Sequence, residues 1–313
     1  MEKDLKDYPG SVLYIPHGGG PLPLLGDEGH RDLVKFLKQV PSILEKPSAV
    51  LIISAHWEEE MATVTSGSLP ALFYDYYGFP DEAYEIEYPA PGDPRLASKI
   101  YALLQDSGIG ARLDDQRGFD HGVFVPLKIM YPDAGIPCVQ VSLVKKLDPE
   151  THINIGKALA ALRKEKVLIL GSGFSFHNLS AFFSRSKDGP DSKNEAFQDW
   201  LVDTCTNEDI SAAEREMRFV GWHAAPFARY CHPREEHLLP LHVCHGISNS
   251  PAKLVYDGKV MGKKACAFLW CYVLIKVNAR KNSEIKTKTA LAFTQGYAVN
   301  QIIFNSRNKP HNT

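Results

Sequence analysis

The stretch Ala49 to Ser54, reading AVLIIS, limits what this chain can fold into more than any other part of its 313 residues. It is apolar without alternation, so a strand built from it has to be covered on both faces, as in a parallel sheet flanked by helices. Ser11 to Ile15, Pro137 to Leu143 (PCVQVSL) and Val167 to Leu170 read as further strands of that kind. Between them lie segments with helical patterning at about residues 30–40, 94–107 and 149–163. The second opens on Asp93-Pro94, a side-chain acceptor followed by a residue that fits the first turn. Lys253 to Asp257 and Ala265 to Ile275 read as closing strands. The expectation is an α/β fold with one domain over residues 10–275. It would have a central, mostly parallel or mixed sheet, helices on both faces and a site at the carboxyl ends of the strands.

Histidines recur at those strand ends. His17 follows Pro16 and precedes Gly18 to Gly20, where missing side chains leave room for a ligand. The same His-Gly-Gly-Gly run occurs in esterase oxyanion loops, but the Gly-x-Ser-x-Gly elbow they require is absent. His56 lies just past AVLIIS, and His177 just past the strand that runs into GSGFSFHN. A phosphate cradle there would need Gly-x-Gly-x-x-Gly or a Walker lysine, and neither is present. His121 sits in RGFDHG, where a neighbouring carboxylate can fix its tautomer. Read alone, a histidine placed like His56 is usually a capped loop residue, and His121 is equally a hydrogen-bonded loop histidine.

The stretch from His232 to His237, HPREEH, holds several potential ligands that cannot all face one site. Pro240 belongs in the first turn of a helix, so a helix over about residues 238–245 is expected to begin just after His237. His237 then stands at the positive end of the helix dipole, which favours the neutral ring a metal ligand must be and prefers it over Glu235 or Glu236. The competing reading is a helix entrance with two acidic first-turn residues.

A balance of 35 basic against 37 acidic residues offers no field for nucleic acid or an anionic membrane. Six cysteines without a Cys-x-x-Cys pair suggest neither a thiolate zinc site nor a disulfide framework. The charged start MEKDLKD has no signal-peptide core, and the apolar run Ala265 to Val277 is shorter than the ~20 residues of a bilayer span, so a cytoplasmic protein is expected. Residues 276–313 carry seven basic residues against Glu284 and read as an appended tail. The oligomeric state is unspecified.

Taken together, PHGGGPLPLL, SAHWEEE, YPAPG, RGFDHGVFVPL, GSGFSFHN and HPREEHLLPLHV resemble the class III extradiol ring-cleavage dioxygenases, and most closely the branch containing DOPA 4,5-dioxygenase. The resemblance spans about residues 10–270. It implies His17, His56 and His237 as metal ligands, and His177 as catalytic acid-base or an additional ligand of a zinc form. It also implies His121 as a substrate-pocket histidine with a catalytic or positioning part. The protocatechuate branch of the superfamily uses two histidines and a glutamate, whereas the DOPA-like branch matches a histidine at position 237. The implied activity is cleavage of a catechol by O2 with one Fe(II) or Zn(II) per chain. Facial ligation by three side chains leaves positions open for substrate and oxygen, and an imidazole titrating near ~6.5 suits both proton steps. Tyr74, Tyr76, Tyr77 and Trp222 are candidates to line an aromatic pocket. Two other readings stand beside this one: a zinc hydrolase on the same three histidines, and a relative that binds without catalysis.

Overall fold

The computed structural model describes residues 10–183 and 191–271. Eight strands form one mixed sheet: β1 (Val12–Pro16), β2 (Ala49–Glu59), β3 (Ala62–Thr65), β4 (Ala111–Asp114), β5 (Cys138–Val144), β6 (Val167–Gly173), β7 (Lys253–Val260) and β8 (Lys263–Trp270). Their order across the sheet is β4-β3-β5-β2-β6-β1-β8-β7. The four central strands β5, β2, β6 and β1 are parallel, while β8 and β7 close one side as an antiparallel hairpin. The apolar run expected to be fully covered is so: Val50, Leu51 and Ile52 have no exposure. β3 and β4, of four residues each, escape a reading by pattern because neither is long enough to show a period.

The helices are α1 (Arg31–Ile43), α2 (Pro94–Asp106), α3 (His121–Met130), α4 (Pro149–Leu159), α5 (Leu179–Phe183), α6 (Ser192–Thr206), α7 (Ala212–Val220), α8 (Ala228–Cys231) and α9 (Leu239–Ser248). Asp93 caps α2 as expected, accepting from the N–H groups of Arg95 and Leu96. α9 begins where Pro240 requires, one residue past Leu238. Two neighbours on β6 fix the layers. A Cβ on Gly171 would meet Pro240 and Cys244 of α9, whereas the hydroxyl of Ser172 donates to the Gly122 carbonyl of α3. Successive strand residues point to opposite faces, so α9 and α3 cover opposite sides of the sheet.

Two strands run further than their apolar patterns. β6 continues through Gly171-Ser172-Gly173, because the glycines let helix backbone lie against the strand. A Cβ on Gly173 would stand 2.2 Å from the His237 carbonyl oxygen. β2 continues past Ser54 to Glu59, so His56 lies within a strand and not in a loop after it. The expected tail, the end of the last apolar run beyond residue 271, and the 184–190 part of the polar connection lie outside the described residues.

Candidate active site

Five histidines converge at the carboxyl ends of the parallel strands. His17 leaves β1, 1 % exposed, and its amide donates to the Gly173 carbonyl. His56 sits where β2 and β5 lose register: Ile53 faces Val141 and Glu58 faces Leu143, so five steps on one strand oppose two on the other. A bulge of this kind re-aims side chains, and here it turns His56 toward His17. His237 immediately precedes the N-cap of α9, and its carbonyl is held by the Tyr14 hydroxyl and the Phe174 amide. His121 opens α3, with its ring centroid 3.9 Å from that of His56. His177 stacks on His237.

Hydrogen bonds assign the tautomers. The Ser172 hydroxyl spends its proton on the Gly122 carbonyl, so toward His17 its oxygen accepts, and Nδ1 of His17 is the protonated nitrogen, 3.1 Å away. Asp75 lies 3.3 Å from Nδ1 of His56, and Oε1 of Glu236 lies 2.9 Å from Nδ1 of His237. Carboxylates accept only. These acceptors favour the Nδ1–H tautomer in all three rings, which leaves Nε2 of each free to bind a cation. Ligand atoms of His17, His56 and His237 lie within 4.8 Å of one another, and Nε2 of His17 is 3.0 Å from Nε2 of His56. Burial, and then the neighbouring imidazoles, hold protonation of all three well below the ordinary histidine value. Two Nε2 atoms at that distance either share a proton or bind a common cation, and the acceptors behind Nδ1 of each ring favour the cation. The donor set fits a divalent metal held by three imidazole nitrogens, each ring oriented by an acceptor behind it.

Asp75 and Glu236 each serve two rings. Asp75 accepts from Nδ1 of His121 at 2.8 Å besides standing near His56, and Glu236, which accepts from His237, stands 3.1 Å from Nδ1 of His177. Burial alone would raise the Asp75 carboxyl, but the His121 hydrogen bond and the nearby imidazoles bring it down to about 2. In Glu236 burial is likewise outweighed, mainly by His177, so this carboxyl is held below its usual value. Arg234 reaches Oε2 of Glu236 at 3.5 Å and forms a two-point ion pair with Glu58 at the end of β2, tying the HPREEH segment to the bulged strand. Beneath His56, buried Asp120 accepts from Ser54 and Gln140, and burial raises its carboxyl.

The structure brings His17, His56, His121, His177 and His237 together, and of the four aromatic pocket candidates three make no ring contact with them among the described residues, Tyr77 being 91% exposed. Trp222 is buried against His232 and beneath Arg229. Tyr74 donates its hydroxyl to the Ile86 carbonyl and packs among Tyr76, Tyr84 and Phe124. The tyrosine whose ring meets His121 is Tyr76, at 5.8 Å between centroids. Glu236 turns out to orient rings without belonging to the three-histidine set. Asp75 was not singled out at all; its signal was an acidic residue inside the aromatic run YDYYGFP.

Comparison with known proteins agrees with this geometry. Residues 13–265 match the family described as the catalytic LigB subunit of aromatic ring-opening dioxygenase. Dioxygenase tasH of Hapsidospora irregularis is 38% identical over 83% of this chain and 85% of its own length. The 4,5-DOPA dioxygenase extradiol of Beta vulgaris is 38% identical over 80% of this chain and 93% of its own, and that of Portulaca grandiflora 39% identical over 78% and 89%. A solved structure of an uncharacterised Escherichia coli K12 protein, JW3007, superposes with a TM-score of 0.67 at 28% identity, covering 83% of this chain and 99% of that one. A three-imidazole, metal-ready centre at strand ends, in a chain that matches this family nearly throughout, leaves the hydrolase reading unsupported: the chain belongs to the LigB family and is a non-haem, metal-dependent extradiol ring-cleaving dioxygenase.

Proposed function

We propose that the protein cleaves the ring of a catechol carrying a DOPA-like side chain, using one Fe(II) held by His17, His56 and His237. The observation that carries the metal assignment is the 3.0 Å approach of Nε2 of His17 to Nε2 of His56, with an oxygen acceptor near Nδ1 of each ring. The substrate class rests on the names of the relatives that match over most of this chain. A redox-active ion bound there supplies the path for electrons from the aromatic diol to O2, which the filled d shell of zinc does not.

The remaining work falls to this chain's own side chains. His177 is the acid-base. Its Nδ1 proton is committed to Glu236, so Nε2 is the atom that takes a proton from a catechol hydroxyl and returns it later. His121, committed through Nδ1 to Asp75, likewise offers Nε2, and we assign it to position the diol. Tyr76, with its hydroxyl held by the Ala83 carbonyl, presents a ring edge beside His121 and bounds the aromatic pocket.

The test begins with metal analysis of protein purified without oxygen. Metal-stripped protein is then reloaded with Fe(II) or Zn(II), and O2 uptake is followed over a catechol panel. Fe(II) should restore uptake with a yellow ring-opened semialdehyde, most strongly with DOPA-like catechols, and Zn(II) should inhibit. Hydrolysis of an ester or amide by the zinc form, with no O2 consumed, would overturn the proposal.

A further inference from the structure

Asp75 stands at a junction that a metal-ligand orienter alone would not need. Oδ1 accepts twice from His121, from the backbone N–H at 2.9 Å and from ring Nδ1 at 2.8 Å, while Oδ2 lies 3.3 Å from Nδ1 of His56. His121 is the first residue of α3, and its side-chain neighbour Asp120 gives that helix no side-chain cap. Asp120 is instead spent on Ser54 and Gln140. The acceptor for the free N–H at the positive end of the helix is therefore Asp75, delivered from a loop 46 residues away. Tyr74 and Tyr76, on either side of Asp75 in the chain, are pinned by their hydroxyls to the carbonyls of Ile86 and Ala83, so the carboxylate has little freedom to turn.

We infer that Asp75 is a positioning residue with two separable functions, one per oxygen: Oδ2 orients His56 for the metal, and Oδ1 both caps α3 and locks His121 as the Nδ1–H tautomer with Nε2 facing the diol. The first function rests on the metal assignment above; the second does not depend on it. The metal and a substrate-side imidazole thus share one anchor, so a disturbance at either is felt at the other through a single carboxylate.

The two oxygens can be tested apart. In Asp75→Asn the side-chain oxygen can keep both His121 contacts, while the amide NH2 turns toward His56 and opposes its Nδ1 proton. Zn2+ affinity, measured by competition with a chelator, should fall ~10- to 100-fold, and the His121 tautomer, read by ¹⁵N NMR of ring-labelled zinc protein, should stay Nδ1–H. Asp75→Ala should lower affinity similarly, mix the His121 tautomers and lower Tm, and the tautomer of His177 should be unchanged in both variants. The inference fails if Asp75→Ala leaves affinity and the His121 tautomer as in the parent. It also fails if Asp75→Asn mixes that tautomer while binding Zn2+ normally. None of these readouts uses ring cleavage, so an inactive catechol panel would bear on the substrate and not on Asp75.

Discussion

His177 and His237 lie face to face, with ring centroids 3.4 Å apart and planes 17° from parallel, and Nδ1 of each faces the same oxygen of Glu236, at 3.1 and 2.9 Å. In the proposed assignment one ring belongs to the metal set and the other to proton transfer, so a single carboxylate sets the direction in which each Nε2 points. Glu236→Gln should therefore weaken metal binding ~10- to 100-fold, the usual effect of losing a ligand's supporting acceptor. His17→Ala, His56→Ala and His237→Ala should each empty the site. Glu235→Ala, which breaks only an ion pair to Arg229, should bind normally. Metal titrations of these variants and of Glu236→Ala give the order, and an empty Glu236→Ala site beside a loaded His237→Ala site would reverse the ligand assignment.

His177→Gln separates binding from proton transfer. It should retain metal and catechol yet turn over ~10²- to 10⁴-fold more slowly. Single-turnover rates with Fe(II)-loaded protein check this. If that variant were purified without metal, His177 would be a ligand, and the proton would pass to His121.

The glycines of β6 make a steric prediction. A Cβ at Gly173 would sit 2.2 Å from the carbonyl oxygen of His237, which is backbone and cannot swing aside. Gly173→Ala should cost about 1–3 kcal/mol or more and weaken metal binding by displacing His237. Gly110→Ala, where a Cβ meets open space, should be silent in both measurements. Urea midpoints and metal affinity of the two variants decide it.

Besides the five clustered histidines, three further buried ones make the fold sensitive to acid. Burial lowers His232 and His245 to about 3 and His242 to about 4. Their unfolded values are near ~6.5, so the unfolded chain binds protons that the folded one refuses. Their contribution is intact above about pH 6.5 and is lost as pH falls toward the folded values, at about 1.4 kcal/mol per pH unit for each ring. Among the described residues neither ring nitrogen of His245 has a hydrogen-bond partner, and the ring stacks on Phe219. His245→Leu should remove about one proton's worth of the slope of stability against pH between 4 and 6; an unchanged slope would refute this.

Much of the architecture was legible because burial writes itself into composition. AVLIIS could only be a covered strand, and Asp93-Pro94 and Pro240 mark helix starts that the structure places within a residue. The places that escaped are those where tertiary contact overrides local pattern. Ser172 and Gly173 look like a turn, yet lie in a strand because α9 must approach there. His56 looks like a loop residue, yet is held by a bulge whose register depends on β5. Asp75 was invisible for the same reason: its partners His56 and His121 lie 19 and 46 residues away, and no spacing rule joins them. Trp222 and Tyr74 were proposed on aromatic character alone, which says nothing about which way a ring faces.

His17 and His237 meet across 220 positions of sequence, and the carbonyl that anchors His237 is held by Tyr14, 223 residues away. Contacts of such separation close late and make for slow folding. Under the proposed ligand set, no partly assembled chain holds the three imidazoles together, so an ion would have little to bind until β1, β2, β6 and the start of α9 are all in place. Metal occupancy thus doubles as a readout of complete folding. A chelator should lower the melting temperature, since withdrawing a ligand that prefers the native state removes its share of the stability. In a refolding experiment, metal uptake should lag the recovery of helix and sheet and coincide with the last phase of tertiary assembly.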